Sequence, residues 1–261
     1  MSTEHDTAAD GGRVAVVTAG AAGIGRAIAD RLRSAGFTVV VTDIAQEALA
    51  DARAAGFSAF RVDAGDFASV QAFAAQVERE HGRIDVLVNN AGVAGPTARV
   101  EDIDPDEWEA VVRINLSSQF FHVKALLGLL RRSDRGTIVN LSSAAGRLGM
   151  LGRSVYTASK AGVLGFTKTL AIELGPEGIT ANAICPGAVG GERIQRVIED
   201  KAAVLDRPVA EVEADYRGQS AIAEFIDPGS VASLVEFLAG PGGRQISGQT
   251  LSVDGYTQKL Y

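Results

Sequence analysis

Tyr156 and Lys160 stand four residues apart in Tyr156-Thr157-Ala158-Ser159-Lys160, with Ser143 thirteen residues before the tyrosine. On a helix, side chains at this spacing share a face. An ammonium beside a phenol favours the phenolate and lowers a pKa that starts near 10. A phenol tuned in this way exchanges a proton with an alcohol near neutral pH. The same spacing occurs in many solvated surface helices, so the pair gains meaning only from the elements that carry it.

Those elements alternate along the chain. Short β-branched runs at 14–17, 38–42, 59–62, 84–88, 137–141, 180–184 and 250–253 are separated by helical patterns. Ile24, Ile28 and Leu32 share one helical face, as do Val70, Phe73, Ala74 and Val77. Long helices are predicted over 105–130 and 154–174, the second carrying the Tyr–Lys pair after a glycine-rich loop. Continuous apolar strands between helices predict an α/β fold, a doubly wound parallel sheet of about seven strands covered by helices on both faces. No linker divides the series, so 13–261 reads as a single domain behind a polar, disordered tail at 1–12. The charged stretch 187–220 is too long for an ordinary connection and is predicted to form small helices that cover the substrate site.

Composition narrows the partners. A formal net charge of −7 argues against nucleic acid, which wants a basic face. No apolar run approaches the roughly 18–20 residues that span a bilayer, and 1–12 does not read as a signal peptide. A lone cysteine, Cys185, excludes an internal disulfide and fits a reducing cytoplasm. His5, His81 and His122 are scattered at no metal-ligand spacing, so no metal is expected and structural roles are assigned to His81 and His122.

A dinucleotide site is signalled at the other end of the chain. Thr18-Ala19-Gly20-Ala21-Ala22-Gly23-Ile24-Gly25 follows the first strand and opens the first helix. Glycines there allow a tight turn and close approach of a pyrophosphate, which the helix N-terminus attracts. Asp43 ends the second strand, 18 residues after Gly25, where an acid binds adenosine ribose hydroxyls. Its carboxylate repels a 2′-phosphate and no basic residue adjoins it, so NAD is favoured over NADP. Asp43 also suits a cap for the 45–54 helix, and Asp63 is either a cap or a neighbour of the adenine.

Taken with Asn89-Asn90-Ala91-Gly92, Asn115, Pro186-Gly187 and Val253-Asp254-Gly255, these motifs resemble the short-chain dehydrogenase/reductase family over residues 13 to 255. The resemblance implies a single Rossmann-type domain and an NAD-dependent enzyme interconverting a secondary alcohol and a ketone. It implies that Tyr156 is the general acid/base, and that Lys160 lowers its pKa and holds the nicotinamide ribose. Ser143, rather than its neighbour Ser142, hydrogen-bonds the substrate oxygen. Asn115 bends its helix and holds a water leading from Lys160 to solvent. Gly20, Gly23, Ile24, Gly25, Asp43, Asp63 and Asn90 line the cofactor, with the backbone of Val189 at the carboxamide. The family also suggests a homotetramer paired through the two long helices, with Phe166 and Leu170 as interface candidates.

Two positions depart from the family. Ala19 replaces the first glycine of the turn, which is expected to re-form around Gly20. Gly191 replaces a carboxamide-binding threonine, with Glu192 or a backbone group as the expected substitute. Leu148, Met150, Leu151 and Val155 suggest an apolar approach to Tyr156. The charge-mixed 187–220 segment reads mainly as a solvated face, with Arg193 or Arg196 as inward anion binders the sharper alternative. Other functions considered are a 3-oxoacyl thioester reductase of the same family and a non-catalytic dinucleotide sensor. The complete set Asn115, Ser143, Tyr156 and Lys160 favours catalysis over sensing.

Overall fold

The computed structural model describes residues 12–260, so the tail expected over 1–12 lies, apart from Gly12, outside the described residues. Seven parallel strands form one sheet: β1 (Val14–Thr18), β2 (Thr38–Asp43), β3 (Ser58–Arg61), β4 (Val86–Asn89), β5 (Thr137–Leu141), β6 (Thr180–Pro186) and β7 (Thr250–Val253). Across the sheet they run β3-β2-β1-β4-β5-β6-β7. The order reverses between β1 and β4, which opens a crevice at the carboxyl ends of those strands.

Helices α1 (Gly23–Ser34), α2 (Gln46–Ala54) and α10 (Pro228–Ala239) cover one face. Helices α3 (Phe67–His81), α5 (Ser118–Leu130) and α7 (Ser154–Leu174) cover the other. Strand side chains alternate between the two cores: Ala15, Val17, Val39 and Val41 join the first, and Val14, Val16 and Val40 the second. Burial on both faces is why the strands read as unbroken apolar runs. The predicted stripes reach these cores, with Ile28 and Leu32 buried on α1 and Val70, Phe73, Ala74 and Val77 buried on α3. Local chemistry sets the ends: Asp66 caps α3 through the N–H groups of Ala68 and Ser69, and Gly82 closes it in the left-handed region.

The single helix expected over 105–130 is interrupted. Helix α4 (Pro105–Val112) passes through a π-helical turn, Arg113–Ser117, before α5 begins. The glycine-rich loop before α7 contains a short helix of its own, α6 (Ala144–Leu148). Within 187–220 lie α8 (Glu192–Leu205) and α9 (Val209–Arg217), packed together through Ile198, Ala202, Val212 and Tyr216. Among the described residues no helix is long and apolar enough to cross a membrane. His122 is buried on α5, its Nδ1 2.8 Å from the Ser118 carbonyl, and burial drives its pKa down to about 4. It is therefore a neutral core group.

At the sheet end away from the crevice, Asp85 is 3% exposed. It accepts hydrogen bonds from Val14 N at 2.8 Å, Ser133 Oγ at 2.6 Å and the Arg83 guanidinium. Burial raises its pKa, but the bonds from Arg83, Ser133 and Val14 together hold it below the ordinary carboxylate range. Such a group contributes stability above its unfolded pKa and loses it as pH falls through the lower folded value. Asp85→Asn should therefore cost about 1–3 kcal/mol at neutral pH. A thermal melt should record a deficit that shrinks in acid; an unchanged melting temperature at pH 7 would contradict this role.

Candidate active site

The dinucleotide end is built on the turn between β1 and α1. Ala19 takes φ 47°, a left-handed conformation, so the turn does not re-form around Gly20 as expected. For alanine this conformation costs about 1–2 kcal/mol. About 0.4–1 kcal/mol returns because alanine restricts the unfolded chain more than glycine does. The small net cost explains why the departure is tolerated. Thr18 Oγ1 accepts from the N–H groups of Asn90 and Ala91, each at 2.9 Å. The Asn90 amide donates to the carbonyls of Thr18 and Ala19, each at 3.0 Å. Asn90 thus braces the turn from the end of β4, across the point where the strand order reverses. Gly25 is required by close approach, since a Cβ there would lie 2.1 Å from the Ala19 carbonyl oxygen.

Helix α1 starts at Ala22 with no side-chain cap, and Gly23, at φ 54°, has open space where a Cβ would be. Free N–H groups at an uncapped N-terminus beside open backbone fit a diphosphate. Half-buried Ile24 packs on the core beneath. Asp43 ends β2, and its Oδ1 accepts from the N–H groups of Ile44 and Ala45 at 2.8 and 3.1 Å. The cap position of α2 itself is Ala45, so Asp43 orders the turn before the helix rather than capping it. Among the described residues no arginine or lysine forms an ion pair with Asp43. Asp63 accepts from Gly65 N at 2.9 Å, while the cap of α3 falls to Asp66.

Tyr156 and Lys160 lie on α7, with Lys160 only 4% exposed. The Lys160 ammonium donates to the Leu141 carbonyl at 2.8 Å, at the end of β5. A Cβ on Gly92 would lie 3.3 Å from that ammonium and 3.1 Å from Asn115 Oδ1, so glycine lets both groups close in. Burial lowers the pKa of Lys160, opposed by Tyr156 and reinforced by Arg193. Burial raises the Tyr156 phenol, but Lys160, Arg193, a hydrogen bond with Ser143 and Arg153 outweigh it. The phenol is held below its ordinary value near 10. The two serines separate clearly. Ser142 Oγ is buried and donates to the Lys160 carbonyl at 2.7 Å, whereas Ser143 favours the ionised form of Tyr156 and caps α6 through Ala145 N.

Asn115 sits in the π-helical turn, fully buried. Its amide bonds both backbone groups of Val93, at 2.7 and 3.1 Å, and donates to Ser159 Oγ at 3.1 Å. Gln119 Nε2 reaches the Asn115 carbonyl at 3.3 Å. The widened turn thereby ties the long helix to the strand-four loop and to the helix of Tyr156.

Val189 pairs with Ile226 through bonds that use Ala188 O and Gly190 N, leaving Val189's own peptide groups outside the bridge. Gly191 has φ 129°, which a threonine would adopt only under strain. Glu192 does not substitute: its side chain is 91% exposed and paired with Arg196. Arg196 therefore faces water, while the charge of Arg193 reaches Tyr156, Lys160 and Arg153. Val155 is buried rather than lining the approach. Leu148 and Leu151 are exposed, and Met150 packs under α8 and α9. Leu170 is core, not surface.

Sequence reasoning missed Arg153, whose guanidinium carbon lies 5.2 Å from the Tyr156 ring centroid. Its signal was its place as the cap residue just before α7, three residues ahead of Tyr156. It also missed Thr18 and Ser159, whose roles depend on contacts distant in sequence.

The chain matches a family model described as enoyl-(acyl carrier protein) reductase over residues 19–257. It is 37% identical over 245 residues to acetoacetyl-CoA reductase of Shinella zoogloeoides, spanning 93% of this chain and 97% of that protein. Among solved structures it is similar to a variant actinorhodin polyketide ketoreductase with NADPH, at TM-score 0.88 and 35% identity over 95% of this chain and 98% of the other. It is also similar to an NAD+-bound xylitol dehydrogenase, at TM-score 0.87 and 30% identity over 92% and 97% of the two chains.

Gly25→Ala tests the turn. The methyl would collide with the Ala19 carbonyl and displace the backbone that faces the diphosphate. Titration of NAD followed by the fluorescence of the single tryptophan should give at least about tenfold weaker binding. Undiminished affinity would exclude this turn as the dinucleotide cradle.

Proposed function

The chain belongs to the short-chain dehydrogenase/reductase family, an oxidoreductase on a dinucleotide-binding fold, and from that premise we propose that it interconverts a secondary alcohol and a ketone with NAD(H). The observation that carries this reading is a phenol held below its ordinary pKa by Lys160, whose buried ammonium is fixed on the Leu141 carbonyl, with Ser143 favouring the same ionised form.

Bound NAD supplies the hydride acceptor for alcohol oxidation and the donor, as NADH, for the reverse. The uncapped N-terminus of α1 and Gly23 hold its diphosphate, and Asp43 takes the adenosine ribose hydroxyls. Ile24 and Asn90 support the turn, Asp63 lies toward the adenine, and the free peptide groups of Val189 meet the carboxamide. Ser143 donates its hydroxyl hydrogen to the substrate oxygen and steadies charge developing there. The Tyr156 phenolate accepts the hydroxyl proton as the C–H hydride leaves, and the phenol returns it during reduction. Lys160 favours the phenolate and binds the nicotinamide ribose. Asn115 orders the backbone of Val93 beside it, on the route for proton release. The net oxidation converts alcohol and NAD+ to ketone, NADH and one proton.

Reduction of a 3-oxoacyl thioester is the second reading, favoured by the likeness to acetoacetyl-CoA reductase. The carboxylate at the end of β2 argues against the NADPH that the ketoreductase relative carries. Assembly as a homotetramer through α5 and α7 is supported by Phe120, 46% exposed, and Ile172, 78% exposed, on those helices. Half-buried Phe166 packs edge-on against Phe120, at 6.4 Å between ring centroids. Light scattering should give four copies, and a monomer would remove this proposal.

Tyr156→Phe should leave NAD affinity intact while turnover falls about 10²–10⁴-fold; turnover at the wild-type rate would refute the assignment. Asp43→Ala should reduce the preference for NAD over NADP at least about tenfold, the loss of about 1.4 kcal/mol of discrimination. Indifference of that ratio would reject Asp43 as the selector and strengthen the thioester reading.

A further inference from the structure

Arg153 is 5% exposed, and no carboxylate forms an ion pair with it among the described residues. A guanidinium carries five N–H donors. One N–H goes to Thr97 Oγ1 at 2.9 Å and one to the Ala94 carbonyl at 2.8 Å. Its Nε is buried with no hydrogen-bond partner. Burying a cation without a counter-ion is costly, and buried charges in folded proteins are normally paired. Here the charge stands 5.2 Å from the Tyr156 ring, whose phenolate supports it without a hydrogen bond, so the Nε donor is left for a group next to the reacting carbon.

The surroundings point the same way. Tyr216 on α9 is buried, its hydroxyl has no partner, and its phenol responds to both Arg153 and Tyr156. Arg193 on α8 adds a second cation whose charge reaches Arg153, Tyr156 and Lys160. Asp200 acts on Arg153 without pairing with it. A neutral ketone or thioester would leave the Arg153 Nε and the Tyr216 hydroxyl without partners. A carboxylate accepts two parallel N–H bonds from a guanidinium and a third from a phenol.

We propose that Arg153, assisted by Tyr216 and by the charge of Arg193, is the receptor for a substrate carboxylate. The alcohol oxidised at Tyr156 is then borne by a short hydroxy acid, its carboxylate within a few bonds of the carbinol. This deepens the alcohol–ketone reading and rests on it. Arg153 acts as a specificity-determining residue, and its clamp on Ala94 and Thr97 fixes the receptor to the loop after β4.

The test compares 3-hydroxybutyrate and 2-hydroxybutyrate with their methyl esters, using NAD and the wild-type protein, so that no variant need fold. At least one acid should exceed its ester in kcat/KM by about tenfold or more. Arg153→Gln should collapse that acid-to-ester ratio, and Arg153→Lys should restore part of it. The ratio cancels any change in the Tyr156 phenol, which affects acid and ester alike. Binding is read separately by calorimetric titration of malonate, a non-reacting dicarboxylate, into the protein with NAD. Wild type should bind it and Arg153→Gln should lose that binding. Equal turnover of acids and esters, an unchanged ratio in Arg153→Gln, or no malonate binding by wild type would each overturn the carboxylate receptor. Neutral alcohols oxidised without acid preference would leave the alcohol–ketone reading standing. Wild-type turnover by Tyr156→Phe would sink that reading even if malonate binds.

Discussion

The structure depends on keeping a phenol and an ammonium together in a place with little water. Burial alone would drive Tyr156 toward the neutral phenol and Lys160 toward the neutral amine. Each favours the charged form of the other, and Ser143, Arg153 and Arg193 add to the pull on the phenol. The balance needs a fixed geometry, because low-dielectric interactions strengthen and weaken steeply with distance. Much of the molecule around α7 serves that end. Leu141 holds the ammonium, Ser142 holds the Lys160 carbonyl, and Asn115 reaches Ser159 one residue before the lysine.

The sheet joins this pair to the dinucleotide turn. Strands β1, β4 and β5 are adjacent, and their carboxyl ends carry Thr18, Asn89 and Leu141. Asn90 ties the glycine turn to the end of β4, while Val93, four residues after Asn89, is held by Asn115. Cofactor grip and proton transfer thus share one short loop. A buried chain from Asn89 through Asn140 to Thr167 further aligns β4, β5 and α7, with bonds of 2.8 and 2.9 Å. Directional polar contacts inside an apolar core favour one arrangement of the elements.

Much of this was legible in the residues. A doubly wound parallel sheet follows from continuous apolar runs between amphipathic helices, and the Tyr–Lys spacing locates one face of one helix. What escaped depends on contacts between distant segments. The π turn at Asn115 is dictated by the Val93 backbone, which no local propensity encodes. The left-handed Ala19 is stabilised by the Asn90 bridge, so the rule that glycine belongs there fails by only a small margin. Glu192 faces outward because it opens α8, one turn before Arg196 and paired with it. Arg153 was passed over because a single arginine before a helix usually reaches water, and here α9 and the 94–97 loop cover it.

The most direct test of the central claim needs no knowledge of the substrate. Tyrosinate absorbance, titrated against pH in wild type, Tyr156→Phe and Lys160→Met, isolates one phenol among the four tyrosines. A phenol should ionise below the ordinary value near 10 in wild type. It should vanish from Tyr156→Phe and rise in Lys160→Met, where burial is less opposed. A wild-type protein in which no tyrosine ionises below that value, or one indifferent to the loss of Lys160, would contradict the account.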